Sequence, residues 1–185
     1  MPSLRAFLAV PLPAELVRQA QELCRHLQAK LPGVRWVRPE AMHLTLRFFP
    51  DLPEESLEKI GEVMLSVGRL HSPFQVTVTG VGAFPSPARP RVIWLGITDC
   101  QPLLELYSTL DQSLERVGFP GEDRSFSPHL TLGRSRGPLP GARTVLERYH
   151  ERAYGTLEVE RLVLFESRLQ PSGALHLPRK TALLG

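Results

Sequence analysis

The sequence predicts an α+β protein built as a bilobal duplication about a pseudo-twofold, with antiparallel sheets lining a central cleft and helices on the outside. Three observations predict it. The tetrapeptide His43-Leu44-Thr45-Leu46 returns letter for letter as His129-Leu130-Thr131-Leu132, 86 residues later in a chain of 185. The segments around the two copies correspond as well. The hydrophobic pattern also switches repeatedly between the two-residue period of strands and the three-and-four spacing of helices. Residues 1–185 therefore read as one bilobal domain, with repeat halves of roughly 1–86 and 87–185.

Each element of the first half has a counterpart. Arg5-Ala6-Phe7-Leu8-Ala9 is a short apolar run of strand formers, and at the same offset it falls on Arg91-Val92-Ile93-Trp94-Leu95. A helix follows each run. The first has an apolar stripe through Leu16, Ala20, Leu23, Leu27 and Leu31; the second runs through Leu103, Leu106, Leu110, Leu114 and Val117. Gly33 and Gly118 stand where the chain is expected to leave these helices. The first half then adds Val34-Arg35-Trp36-Val37 before its tetrapeptide. Asp51-Leu52-Pro53 reads as the start of a third helix, with a stripe through Leu57, Ile60, Met64 and Val67. Pro138, Pro140, Val145, Leu146 and Tyr149 mark a weaker helix in the second half. Phe74, Val76 and Val78 alternate with polar residues as a half-buried strand does, and at offset 86 they land inside the strand-like stretch Leu157–Phe165.

Composition narrows the function. The chain carries 22 Lys and Arg against 19 Asp and Glu, a formal charge of +3, and 19 of the 22 bases are arginine. A balance this mild suits an anionic small substrate or one RNA end, not a polybasic tail. No apolar run reaches the length of about 18 residues that a membrane helix needs. Met1-Pro2-Ser3-Leu4-Arg5 has no signal-peptide pattern, and Cys24 and Cys100 form no CxxC or disulfide framework. The expectation is a cytoplasmic monomer without a membrane partner.

The tetrapeptides carry the chemistry. Alternation along a strand puts His43, Thr45 and Arg47 on one face and Leu44, Leu46 and Phe48 on the other, and likewise separates His129 and Thr131 from their leucines. The leucines face a core, and the His–Thr pairs face something polar. Two imidazoles across a groove supply a proton donor and a proton acceptor near neutrality. Threonine hydroxyls can hold the oxygens of a phosphoryl group as charge develops on them. Such a set needs no metal or other cofactor, and a strained cyclic phosphodiester suits it. Its kcat/KM should be bell-shaped between roughly pH 5 and 8. Arg134, just beyond the second motif, and Arg47 are candidate phosphate contacts. Phe7, with Phe48 and Trp36, is a candidate for stacking on a base, against core packing as the commoner role of such aromatics.

Other chemistries are weaker. A hydrolytic metal needs about three protein ligands, and only His176 or Glu166 offers a third beside the two motif histidines. Gly80-Val81-Gly82 lacks the third glycine and helix start of a dinucleotide loop. A module that clasps RNA ends without turnover would use the same arginines.

The doubled His-Leu-Thr-Leu resembles the motif pair of the 2H phosphoesterase superfamily. Arg5-Ala6-Phe7, Trp36-Val37 and Phe165-Glu166-Ser167-Arg168-Leu169 are similar to its RNA 2′,3′-cyclic phosphodiesterase branch, also called 2′-5′ RNA ligase. The resemblance implies hydrolysis of a terminal 2′,3′-cyclic phosphate on RNA to a 2′-phosphate, without a metal. It implies His43 as proton donor to the leaving 3′-oxygen, His129 as the base that activates water, and Thr45 and Thr131 on the phosphate oxygens. Joining of RNA halves through a 2′-5′ linkage would be the reverse reaction on the same histidines. The chain departs from its relatives at Leu175-His176-Leu177, where they often carry a tyrosine.

Overall fold

In a computed structural model, residues 3–121, 125–171 and 173–185 are described. Among them, nine strands and four helices follow one another: β1 (Ser3–Pro11), α1 (Ala14–Gln28), β2 (Val34–Trp36), a 3-10 turn (Pro39–Ala41), β3 (His43–Pro53), α2 (Ser56–Gly68), β4 (Phe74–Phe84), β5 (Val92–Thr98), α3 (Gln101–Arg116), β6 (His129–Ser135), α4 (Ala142–Glu147), β7 (Ala153–Val159), β8 (Arg161–Gln170) and β9 (Gly173–Leu183). The strands form one antiparallel sheet in the order β7-β4-β5-β6-β3-β1-β8-β9, with β2 added on β6. The two lobes are thus the halves of a single curled sheet.

The curl is demanded by connectivity. Only Glu160 separates β7 from β8, yet these strands lie six places apart in the sheet. Six spacings would be about 29 Å across a flat sheet, far beyond the reach of one residue. The sheet must bend until its far strands approach at that end. Leu157–Phe165, which reads as one strand in sequence, is therefore two strands in different halves of the sheet.

Sequence halves and sheet halves do not coincide. Strand β4 closes the first sequence half but pairs with β5 and β7, while β8 and β9 from the second half extend the sheet beyond β1. Around the motifs the correspondence is closer. Leu44 of β3 pairs with Leu130 of β6, and each motif strand has its other neighbour, β1 or β5, on the outer side. Val10 and Leu95 face these two leucines, so the flanking strands correspond at an offset of 85 and not 86.

The helices cover one face. The stripes Leu16, Ala20, Leu23, Leu27 on α1 and Leu103, Leu106, Leu110, Leu114 on α3 join Leu8, Leu44, Leu46, Leu95, Leu130 and Leu132 of the strands in one core. Burial of this apolar face is what drives the layer together. The other face of the strands stays open as the cleft. Asp51-Leu52-Pro53 is not a helix start: β3 runs through Pro53 and α2 begins at Ser56. Gly118, at φ +96 two residues past the end of α3, occupies the left-handed position that ends a helix.

Candidate functional site

Both tetrapeptides lie in strands with the same burial sequence. Residues 43–49 and 129–135 each run half-buried, buried, half-buried, buried, buried, exposed, buried. The repeated step from buried to buried is a β-bulge. Ala9 pairs with Thr45 and Leu8 with Arg47, leaving Leu46 over; Trp94 pairs with Thr131 and Ile93 with Gly133, leaving Leu132 over. The last leucine of each tetrapeptide is thus the extra residue. A single extra residue sends everything beyond it to the opposite face.

That bulge corrects the expectation for Arg47. The side chain does not share the cleft face with His43 and Thr45. It lies on the helix side, 3% exposed, paired with Asp111 of α3 and donating to the carbonyls of Phe119 and Pro120. Phe48 takes the cleft face in its place, half exposed and 5.7 Å from the ring of Phe7, its partner across the strands. In the second half the bulge brings Arg134 to the cleft face, exposed and opposite Val92. Gly133 fills the position equivalent to Arg47, because a Cβ there would lie 2.6 Å from Val34 and 3.0 Å from Trp36.

His43, Thr45, His129 and Thr131 all face the cleft. The Leu44–Leu130 pair is antiparallel, so one step along each strand sets His43 toward Thr131 and Thr45 toward His129. Each imidazole is anchored by the carbonyl two residues before it. His129 Nδ1 lies 2.7 Å from the Ser127 carbonyl oxygen, and the His43 ring donates to the Ala41 backbone. With Nδ1–H of His129 donating, its Nε2 is the free position in the neutral ring.

The rings rest on aromatic floors. His43 stacks on Phe7 at 4.4 Å and 21°, and Phe7 stacks in turn on Phe165 at 5.3 Å. Phe7 is 1% exposed, so it has no free face for a base. Its role as a base-stacking residue is corrected to that of a platform beneath His43. His129 meets the edge of Phe84 at 5.1 Å and lies 6.4 Å from Trp94. Gly82 makes room for that indole: a Cβ there would lie 2.2 Å from it. His176, on β9, stands edge-on to His43 at 5.2 Å and to Phe7 at 4.8 Å.

These surroundings fix the resting charge. Burial, with a smaller contribution from His176, lowers the His43 pKa to about 4. Burial also lowers His129, helped by the nearby Arg134 guanidinium and opposed by the Ser127 hydrogen bond. His176 is lowered by burial as well. At neutral pH the unliganded cleft therefore holds neutral imidazoles.

Of the sequence candidates, the structure brings together His43, Thr45, His129, Thr131 and Arg134, and leaves Arg47 outside. Glu166 also lies outside, on the helix-facing side, held by Arg168 and Arg179. Among the described residues no group of three or more His, Cys, Asp or Glu side chains is placed to hold a metal ion. Sequence reasoning missed Phe84, Trp94 and Phe165 as supports for the histidines. Their only signal is strand register, since each sits beside a motif face only after the sheet has formed.

A family model described as LigT-like phosphoesterase matches the chain twice, over residues 10–94 and 95–176. A curated relative from Archaeoglobus fulgidus, named RNA 2′,3′-cyclic phosphodiesterase, is 32% identical over 94% of this chain and 96% of its own. A crystal structure from Thermus thermophilus superposes with a TM-score of 0.84, at 30% identity over 97% of both chains. Escherichia coli LigT, crystallised with 3′-AMP, superposes with a TM-score of 0.77, at 25% identity over 99% of both.

Proposed function

Because the chain belongs to the LigT-like phosphoesterases of the 2H superfamily, we propose that it hydrolyses the 2′,3′-cyclic phosphate at the end of an RNA and leaves a 2′-phosphate. The observation that carries this reading is the pair of His-x-Thr faces on the adjoining strands β3 and β6, both open to one cleft. The curated relatives bear the name of that reaction, and the E. coli relative was crystallised with a nucleotide monoester.

The cyclic phosphate sits between the two motifs, its free oxygens accepting from the Thr45 and Thr131 hydroxyls. His129, neutral at Nε2, takes a proton from water as the water oxygen bonds to phosphorus. The bond from phosphorus to the 3′-oxygen breaks, and His43 delivers its proton to that oxygen. One turnover leaves His43 neutral and His129 charged, and exchange with solvent resets both. No metal enters these steps. His43 suits the donor role because its charged form is the more destabilised by burial, so it gives up a proton readily. The phosphate anion offsets that destabilisation and allows His43 to be charged in the complex.

The test is incubation of an RNA bearing a 2′,3′-cyclic end, with identification of the monoester formed. A 2′-phosphate produced equally well in the presence of EDTA is expected. A 3′-phosphate, or complete loss of turnover with the chelator, overturns the reading.

A further inference from the structure

Two arginines form a cross-strand pair on the cleft face. Arg35 of β2 pairs with Arg134 of β6 in register. The neighbours of Arg35, Val34 and Trp36, pack on the helix side, where they surround Gly133. Alternation then sends Arg35 to the opposite face, the face Arg134 shares with Thr131 and His129. Both arginines are exposed. Among the described residues neither has a carboxylate within ion-pair distance, a state they share with most of the arginines, so an incoming anion displaces no resident ion pair.

Like charges directly opposite one another in a sheet are destabilising. An anion between them removes that cost and receives two guanidinium groups at once. The position is also defined relative to the reaction. Arg134 is the next cleft-facing residue after Thr131, one face-step or about 7 Å along the strand. Its charge acts on His129 from there. Arg35 lies on the far side of Arg134 from β5, along the edge of β6 that β3 pairs with at Leu130.

We propose that Arg35 and Arg134 form a second phosphate subsite, which holds the phosphodiester on the 5′ side of the terminal nucleotide. The inference rests on the reaction proposed above and makes the substrate class more specific: an oligonucleotide end, not a free cyclic mononucleotide. The terminal cyclic phosphate lies between the histidines, and the preceding phosphate bridges the two guanidinium groups. One nucleotide spans the distance.

The experiment compares kcat/KM for a dinucleotide ending in a 2′,3′-cyclic phosphate with that for the matching cyclic mononucleotide. The wild-type protein should prefer the dinucleotide by about tenfold or more, and Arg35→Gln should erase most of that preference, chiefly through KM, with Arg35→Lys keeping part of it. The ratio corrects itself for any unfolded fraction. The dinucleotide should also show the steeper salt dependence, by about 0.7 in the log–log slope for one added phosphate contact. A wild-type ratio near one, or a ratio unchanged in Arg35→Gln, overturns the subsite while leaving the reaction standing. If neither substrate is turned over, the reaction fails instead. Binding of the dinucleotide and mononucleotide 2′-phosphates to wild type and Arg35→Gln then reads the same preference without turnover.

Discussion

The His43 half and the His129 half begin from the same four residues and the same backbone device, and then diverge. Each motif ends in a bulged leucine, and each histidine is held by the carbonyl two positions before it. Beyond the bulge one half places Arg47 in the helix layer and Phe48 in the cleft, while the other places Gly133 and Arg134. Below the rings, His43 rests on Phe7 with a second imidazole at its edge, and His129 rests against Phe84 and Trp94 beside a cation. Duplication made two equivalent imidazoles. Their neighbours, not their own sequence, are what distinguish them, and the separate roles proposed for them rest on that difference.

Deleting either ring breaks the comparison most severely. His43→Ala and His129→Ala should each lower kcat by about a hundredfold to ten-thousandfold, measured on a 2′,3′-cyclic dinucleotide. Retained binding in both variants is expected, and wild-type turnover in both would overturn the assignment of the two histidines to the chemistry. Thr45→Ala and Thr131→Ala come next. If each hydroxyl holds developing charge, kcat falls by about a hundredfold, with KM changed much less.

The pH profile sharpens the difference between the rings. In the proposed mechanism the productive form has His43 charged and His129 neutral. With His43 lowered to about 4 and His129 below its ordinary value of 6.5, that form is most populated between the two, on the acid side of 6.5. The kcat/KM optimum should therefore lie below pH 6.5, on the acid side of the centre of the bell expected between roughly 5 and 8. Bound phosphate favours charged imidazoles, so the kcat profile should sit at higher pH than kcat/KM. Removing the neighbouring imidazole with His176→Gln should move the kcat/KM optimum upward by a smaller amount. An unshifted optimum would mean that His176 does not act on His43.

Much of this was legible in the sequence. The repeated tetrapeptide, with leucines on one face and His–Thr on the other, placed the four central residues, and the three-and-four stripes located α1, α2 and α3. The bulge was not legible, because Leu46 and Leu132 are apolar residues that fit regular alternation equally well. That single omission put Arg47 on the wrong face. Strand β9 left little trace for another reason. Only Ala182 within it is buried, so the segment from Gly173 to Leu183 has no alternating apolar signal. His176 was legible only as a candidate third ligand beside the motif histidines, and its place edge-on to His43 depends on β9 pairing with β8. The offset of 85 between β1 and β5 was hidden because a one-residue shift still superposes two apolar runs.

The smallest effect tests the helix-side difference. Arg47→Met leaves Asp111 and the Phe119 and Pro120 carbonyls without their donor. It should cost about 3 kcal/mol, the lower end of the usual range because Asp111 is partly exposed. That corresponds to a Tm lower by roughly 10 °C in a chain of this size. Thermal unfolding checks it, and an unchanged Tm would show that the pair contributes nothing.

The division of labour between the halves is tested most directly by changing the leaving group. A nucleotide nitrophenyl phosphodiester releases a stabilised phenolate that needs no proton, whereas the cyclic phosphate releases an alkoxide that does. If His43 is the donor and His129 the base, His43→Ala should recover most of its lost rate on the nitrophenyl ester, and His129→Ala should remain impaired on both substrates. Recovery in His129→Ala alone would reverse the two roles, and equal impairment of both variants on both substrates would contradict the division itself.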